Sequence, residues 1–246
     1  MNFQRMNAQK PSAPPAPVGT KIPGVELIYM TGSPPCRAVL MCLRDLKIDV
    51  DMKKIDMFQK AEHKQPWFVK MNPQHCVPTL NDNGFILWES RAIISYLITK
   101  YGSEEDRERL LPSDPEARAK IDRMWYFDIG CLYKSISDYY LPQLMSGEPA
   151  DHQRANALKQ NLDYLDIFLE DSPYVAGETY TAADISILAS VTHLESVDFR
   201  YEGYHHIAEW AKKLKAELPY YTACNKEGIE LFAKWSKSRM TTKKGK

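Results

Sequence analysis

The sequence predicts a small α/β domain of βαβ–ββα order followed by an all-α domain. Three observations carry this. Short apolar runs and helical stripes alternate up to residue 101. An Asn83-Gly84 pair sits between two of those runs. Beyond residue 114 every apolar pattern has helical spacing.

The first strand is the apolar run 25–30, bounded by turn residues. Gly32-Ser33-Pro34-Pro35 breaks it. A helix then runs to residue 46, with Val39, Leu40, Leu43 and Leu46 at helical spacing. Proline suits its first turn, where no N–H is needed. Residues 48–56 alternate apolar and polar as a second strand, and 57–70 read as a loop with a short helix. The runs 77–80 and 85–88 flank Asn83-Gly84 and read as a hairpin. Residues 89–101 form a helix with Ile93, Ile94, Leu97 and Ile98 on one face. A parallel strand pair followed by a hairpin is the layout of a thioredoxin-like domain.

The charged stretch that follows reads as a linker. Asp114 caps the next helix, with Pro115 at its first position, and that helix extends to about residue 145 with a bend near Gly130 or Pro142. Leu158, Leu162, Leu165 and Leu169 line a second long helix over 151–170. Thr181 and Asp184 form a capping box for a third. Residues 207–218 and 221–235 give two more. The expected division is a Pro-rich extension at 1–23, an α/β domain at 24–103, a linker at 104–113, a helical domain at 114–236 and a loose basic tail at 237–246. The extension's composition is that of a disordered tail; its Lys and Arg without acids leave a transit peptide as the alternative.

Lys+Arg and Asp+Glu each number 32 in the 246 residues. That balance disfavours a nucleic-acid partner, which needs a basic surface. No apolar run is long enough to span a bilayer. Five cysteines at irregular spacing, with no paired or metal-binding pattern, indicate free thiols in a reducing, cytoplasmic setting and no metal.

Three segments could carry chemistry. Ser33 lies just before a helix, where the partial positive charge of the N-terminus favours an anion by about 0.3–1 kcal/mol. Its hydroxyl could also donate to a thiolate; the alternative is a plain cap. In Asn72-Pro73-Gln74-His75-Cys76-Val77-Pro78-Thr79-Leu80, a cis bond before Pro78 would leave the Val77 backbone open to an extended peptide. An ordinary trans edge proline is the alternative. In Trp88-Glu89-Ser90-Arg91-Ala92-Ile93, polar side chains and free N–H groups meet at a strand-to-helix junction. They could hold a carboxylate and an ammonium, or merely cap the helix.

Taken in order and spacing, these segments resemble the insect delta and epsilon glutathione transferases. So do Tyr126-Phe127-Asp128-Ile129-Gly130, Tyr174-Val175-Ala176-Gly177 and the Thr181–Asp184 box. The resemblance covers about residues 25–235. It implies the transferase fold: an α+β thioredoxin-like N-terminal domain with an all-α C-terminal domain, in a cytoplasmic homodimer. It implies reduced glutathione as co-substrate, no tightly bound cofactor and no membrane partner. Ser33 would hold the sulfur as thiolate. His63 and His75 would sit near the glycine carboxylate. Val77 and Pro78 would meet the cysteinyl unit, and Glu89, Ser90 and Arg91 the γ-glutamyl group, with Asp128 behind them. Tyr133, Ile136, Tyr139, Tyr140 and Leu141 are the residues expected along the pocket for a hydrophobic electrophile. The implied reaction is conjugation, as in detoxification of xenobiotics. The alternative is a glutathione-dependent carrier of hydrophobic ligands. Cys36, one helical turn after Ser33, reads as a buried small residue.

Overall fold

A computed structural model describes residues 19–241. Most of the 1–23 extension and the last residues of the basic tail lie outside them. Strand β1 (Thr20–Tyr29), helix α1 (Pro34–Asp45) and strand β2 (Ile48–Lys54) form the parallel βαβ unit. A single 3-10 turn (Glu62–Lys64) and helix α2 (Pro66–Met71) lead to strands β3 (Thr79–Asp82) and β4 (Phe85–Trp88), then helix α3 (Ser90–Tyr101). The mixed sheet has the order β2-β1-β3-β4, with β1 in the middle.

Because side chains alternate along a strand, Leu27 and Tyr29 join the main core with α1 and α3. Ile28 points the other way, into a small cluster with Ile55 and Phe68 of α2. Helices therefore cover both faces. The β3–β4 turn is a two-residue loop with positive φ at Asn83 and Gly84, as an Asn-Gly hairpin requires.

The helical part comprises α4 (Glu104–Leu110), α5 (Pro115–Phe127), a π-helical turn (Asp128–Leu132), α6 (Tyr133–Met145), α7 (His152–Phe168), α8 (Ala182–Glu195), α9 (His205–Glu217) and α10 (Tyr221–Thr241). A π-helical turn around Gly130 interrupts the long helix. Helix α8 is buried on every side from Ala182 to Leu194 and forms the axis of this half. Its Thr181–Asp184 box is formed, with Thr181 N donating to Asp184 Oδ2 at 2.8 Å. Among the described residues no helix is long and apolar enough to cross a membrane.

Three elements differ from expectation. β1 begins at Thr20, five residues before the expected 25, because the chain resumes pairing beyond an irregularity between Lys21 and Glu26. The Gly24 backbone, at φ +73°, permits that irregularity. The expected linker at 104–113 contains α4. Ser103 and Asp106 cap it reciprocally, three acidic residues fill its first turn, and Leu110 anchors it in the core. The expected loose tail continues as helix to Thr241, with Lys237 paired to Asp198 at 3.3 Å.

The two halves are pinned together through α1. The buried Arg37 guanidinium donates to Thr192 Oγ1 (3.1 Å) and the Ala189 carbonyl (3.0 Å) on α8, and to Asn225 Oδ1 (2.7 Å) on α10. At the far end of α1, Asp45 accepts from Arg109, Tyr180 and Tyr220. Helix α10 approaches the β1–α1 turn closely at Gly228. A Cβ there would stand 2.3 Å from the Thr31 carbonyl oxygen, so any larger residue would push the helix away.

Candidate active site

The β1–α1 turn delivers Ser33 to the N-terminus of α1. Its backbone is extended (φ −77°, ψ 121°), and Cys36 N donates to its Oγ at a long 3.4 Å. Ser33 is thus a helix cap, but a weak one. Among the described residues no acceptor takes its hydroxyl proton. The first turn of α1 holds no acidic side chain. An anion arriving here meets the helix N-terminus and one free O–H donor. Cys36, in the same turn, is sealed in the core, and burial pushes its thiol up to about 12.

The next wall is the loop from Asn72 to Pro78. Buried Asn72 ties it together. Its amide donates to the Cys76 carbonyl (3.1 Å) and Thr79 Oγ1 (2.9 Å), and its carbonyl accepts from Gln74 N (3.0 Å). Trp88 Nε1 donates to Gln74 Oε1 at 2.9 Å and fixes the loop against β4. The Val77–Pro78 bond is cis. His75 and His63 stand edge to face with ring centroids 6.0 Å apart, and the buried Nδ1 of His63 has no protein partner. Burial, with Lys64 and His75 nearby, lowers the His63 pKa.

The β3–β4 register pairs Thr79 with Trp88, which sets Glu89 and Ser90 beside Pro78 at the end of the ladder. Glu89 takes φ +72° and makes no side-chain cap, so the first N–H groups of α3 have no capping side chain. Arg91 donates to Ser90 Oγ (2.8 Å) and pairs with Asp128 in the π-helical turn. Asp128 is fully buried, and its Oδ1 has no protein partner. This buried pair carries a contact from the sheet domain to the helical one.

Ser33, His63, His75 and Val77 line one cleft of about 430 Å³ between the two halves. Pro78, Glu89, Ser90 and Arg91 are outside its lining and stand behind the loop that forms it. The opposite wall corrects part of the expected pocket. Tyr133 and Leu141 line the cleft, and Ile136 and Tyr140 do not. Ile136 is buried in the core, and Tyr139 and Tyr140 pack against it. The reason is helical phase. The lining residues of α6 are Tyr133, Ser137, Leu141 and Met145, a strict four-residue stripe. Ile136 and Tyr140 fall on the adjacent, inward face.

The sequence reading missed the rest of this wall. Met57 and Phe58 reach over from the loop after β2, His193 from α8 and Phe232 from α10. Phe58 stacks on Trp235 at 5.6 Å, and Trp235 meets Phe232 at 5.0 Å. A second cavity of about 670 Å³ shares Met57, Phe58 and Phe232 with the cleft and adds Lys54, Lys60 and Glu62 to its lining.

A sheet domain with an anion-favouring helix start, set against a helical domain with an apolar wall, forms a cleft that can hold a small anion beside an apolar group. Residues 27–105 match the family model of the glutathione S-transferase N-terminal domain, and residues 132–217 that of the C-terminal domain. The chain belongs to the glutathione transferase family and is an enzyme of that family. It is similar to a delta-class glutathione transferase from Nilaparvata lugens, with 42% identity, 87% of this chain and 99% of that one covered, and a TM-score of 0.83. A Bombyx mori glutathione transferase shares 38% identity over 88% of this chain and 99% of its own, with a TM-score of 0.82. An epsilon-class transferase from the housefly, Musca domestica, shares 32% identity over 87% and 98%, with a TM-score of 0.80.

Proposed function

We propose that the protein conjugates the thiolate of reduced glutathione to hydrophobic electrophiles, with Ser33 as the catalytic residue. The observation that carries this is the uncommitted Ser33 hydroxyl at the start of α1, facing the cleft. A free thiol has a pKa of about 8.5, and a helix N-terminus with a hydrogen-bond donor lowers it. The sulfur then attacks the electrophilic carbon as an anion held in place.

The remaining groups fit the rest of the tripeptide. His63 and His75 offer ring N–H groups to the glycine carboxylate, and the Val77 backbone runs alongside the cysteinyl unit. Glu89, Ser90 and the uncapped N–H groups of α3 receive the γ-glutamyl ammonium and carboxylate, with Arg91 and Asp128 holding Ser90 from behind. In this reading residues 24–103 hold glutathione and 114–236 supply the electrophile wall. The working form is a cytoplasmic homodimer acting in detoxification.

The test is the pH profile of chlorodinitrobenzene conjugation. Ser33→Ala should lower kcat/KM at pH 6.5 by about tenfold or more, and move the half-maximal rate to higher pH, since one oriented donor to an anion is lost. A profile that overlays wild type would remove Ser33 from the mechanism.

A further inference from the structure

The residues that line the cleft include no Asp, Glu, Lys or Arg. Its electric field therefore comes from charges set behind its walls. Arg91 and Arg37 are both buried there. Arg91 is paired with Asp128, so its charge is largely cancelled. Arg37 has no such partner. It is 0% exposed, and its three hydrogen bonds go to neutral oxygens: Thr192 Oγ1, the Ala189 carbonyl and Asn225 Oδ1. Its buried Nε–H has no protein partner. The titratable groups that face it are Cys36 on its own helix, Tyr133 on α6, His193 and Glu195 on α8, and Tyr221 on α10. Burial raises the pKa of Cys36, Tyr133 and Tyr221 and holds His193 down to about 3, so these four are neutral at neutral pH. Glu195 is already paired with Lys215 of α9. Burial brings the Arg37 guanidinium down to about 10, and it remains a cation at neutral pH.

Arg37 stands one helical turn below Ser33, with its backbone N–H donating to the Ser33 carbonyl at 3.0 Å. Its side chain then passes under the β1–α1 turn. A Cβ placed on Gly228 would meet both the Thr31 carbonyl oxygen, at 2.3 Å, and Arg37 Cδ, at 3.1 Å. The stem of Arg37 thus lies against the same point of α10 as the turn that carries Ser33. A charge so placed acts through protein rather than water and is screened little. Its reach shows on both walls. It adds to burial in keeping His193 neutral, and it favours the thiolate of Cys36 against the larger effect of burial. A buried cation without a counter-ion costs stability relative to an apolar side chain of like shape. The bonds that staple α1 to α8 and α10 do not require that charge; an anion at the start of α1 would use it.

We propose that Arg37 is a positioning residue for the transferase reaction, a buried and uncompensated charge that favours the anionic form of the glutathione sulfur at Ser33. The inference rests on the transferase reading of the cleft. It adds to the Ser33 hydroxyl a second source of thiolate stabilisation that never touches the ligand. The hydroxyl acts over one directional bond, whereas Arg37 acts through its field.

The test cancels the charge and leaves Arg37 in place. Asn225→Asp sets a carboxylate against the guanidinium, where the cation keeps it ionised. Asn225→Leu removes the same hydrogen bond and adds no charge. The readout is the ultraviolet absorbance of bound glutathione thiolate, followed across pH in the full chain. Asn225→Asp should move the titration up by about one pH unit, which is about tenfold less thiolate at any pH below it. Asn225→Leu should move it by less than about 0.3 unit. S-methylglutathione has no thiol to ionise, so its Kd should stay within about twofold in both variants. Thr192→Asp, at the other side-chain acceptor of Arg37, repeats the measurement from α8 if Asn225→Asp does not fold. A carboxylate variant whose titration overlays wild type overturns the assignment. So does an equal shift in Asn225→Leu, which would mark a purely structural role. Chlorodinitrobenzene conjugation by wild type is the separate check on the transferase reading. Turnover with an unmoved titration ends only the assignment of Arg37. No turnover and no bound glutathione end both.

Discussion

The two walls of the cleft are built on opposite physical plans. On the sheet side, backbone and side chains are bound into two polar clusters: Asn72 across its loop with Trp88 to Gln74, and Arg91 to Ser90 and Asp128. On the helical side the lining is mostly apolar and loosely covered, with Met145 49% and Leu141 38% exposed. A network of directional bonds suits a partner that never changes. An apolar wall with few fixed contacts tolerates many shapes, because dispersion and burial do not depend on direction. The two walls thus suit two kinds of ligand, one of fixed shape and one of variable shape, through the kind of contact each makes.

The contrast can be broken most severely on the polar side. Asp128→Ala leaves the Arg91 guanidinium without its carboxylate in a nearly closed site, and should cost about 3 kcal/mol of stability. Urea unfolding with an unchanged slope and a lower midpoint would show it. A loss under about 0.5 kcal/mol would mean that water already satisfies the pair.

A smaller effect comes from His193, a polar group on the apolar wall. His193 sits near 3 folded, against 6.5 for an ordinary histidine. Between those values the unfolded chain holds a proton that the folded chain refuses. The contribution is complete above pH 6.5 and is lost as the pH falls toward 3, at up to about 1.4 kcal/mol per unit. Stability curves from pH 7 to pH 4 should be less steep for His193→Phe than for wild type. Parallel curves would place the imidazole in water.

The smallest effect on stability belongs to the open wall. Leu141→Ala should change stability by less than about 1 kcal/mol, since the side chain is already part-exposed. It should raise KM for bulky apolar electrophiles several-fold and leave KM for glutathione within about twofold. Equal shifts in both constants would show that the walls are not independent.

Much of the scaffold was legible because it rests on local chemistry. Asn83-Gly84 sets its own turn, Thr181 and Asp184 cap each other, and Leu158, Leu162, Leu165 and Leu169 occupy one buried stripe. Helix α4 was missed because it has a cap and an acidic first turn but only Leu110 as a buried anchor. Ile136 and Tyr140, which the resemblance set along the pocket, fall on the inward face of α6. The four-residue spacing of Tyr133, Ser137, Leu141 and Met145 was available. His193 had no local signal at all. It lies in a helix buried on every side, where periodicity is silent, and its position opposite Ser33 depends on Arg37 joining α1 to α8.

The close crossing of Gly228 over Thr31 also has a meaning in time. Ser33 and Phe232 are neighbours in space but 199 residues apart in sequence. Domains fold as units from the N-terminus during synthesis, at about 5–20 residues per second. The polar wall can therefore form while the ribosome is still making α10. For that interval the polar wall faces α6 with the Phe232 side of the cleft still missing, and the cleft is complete only when Gly228 lies down on the turn that carries the serine.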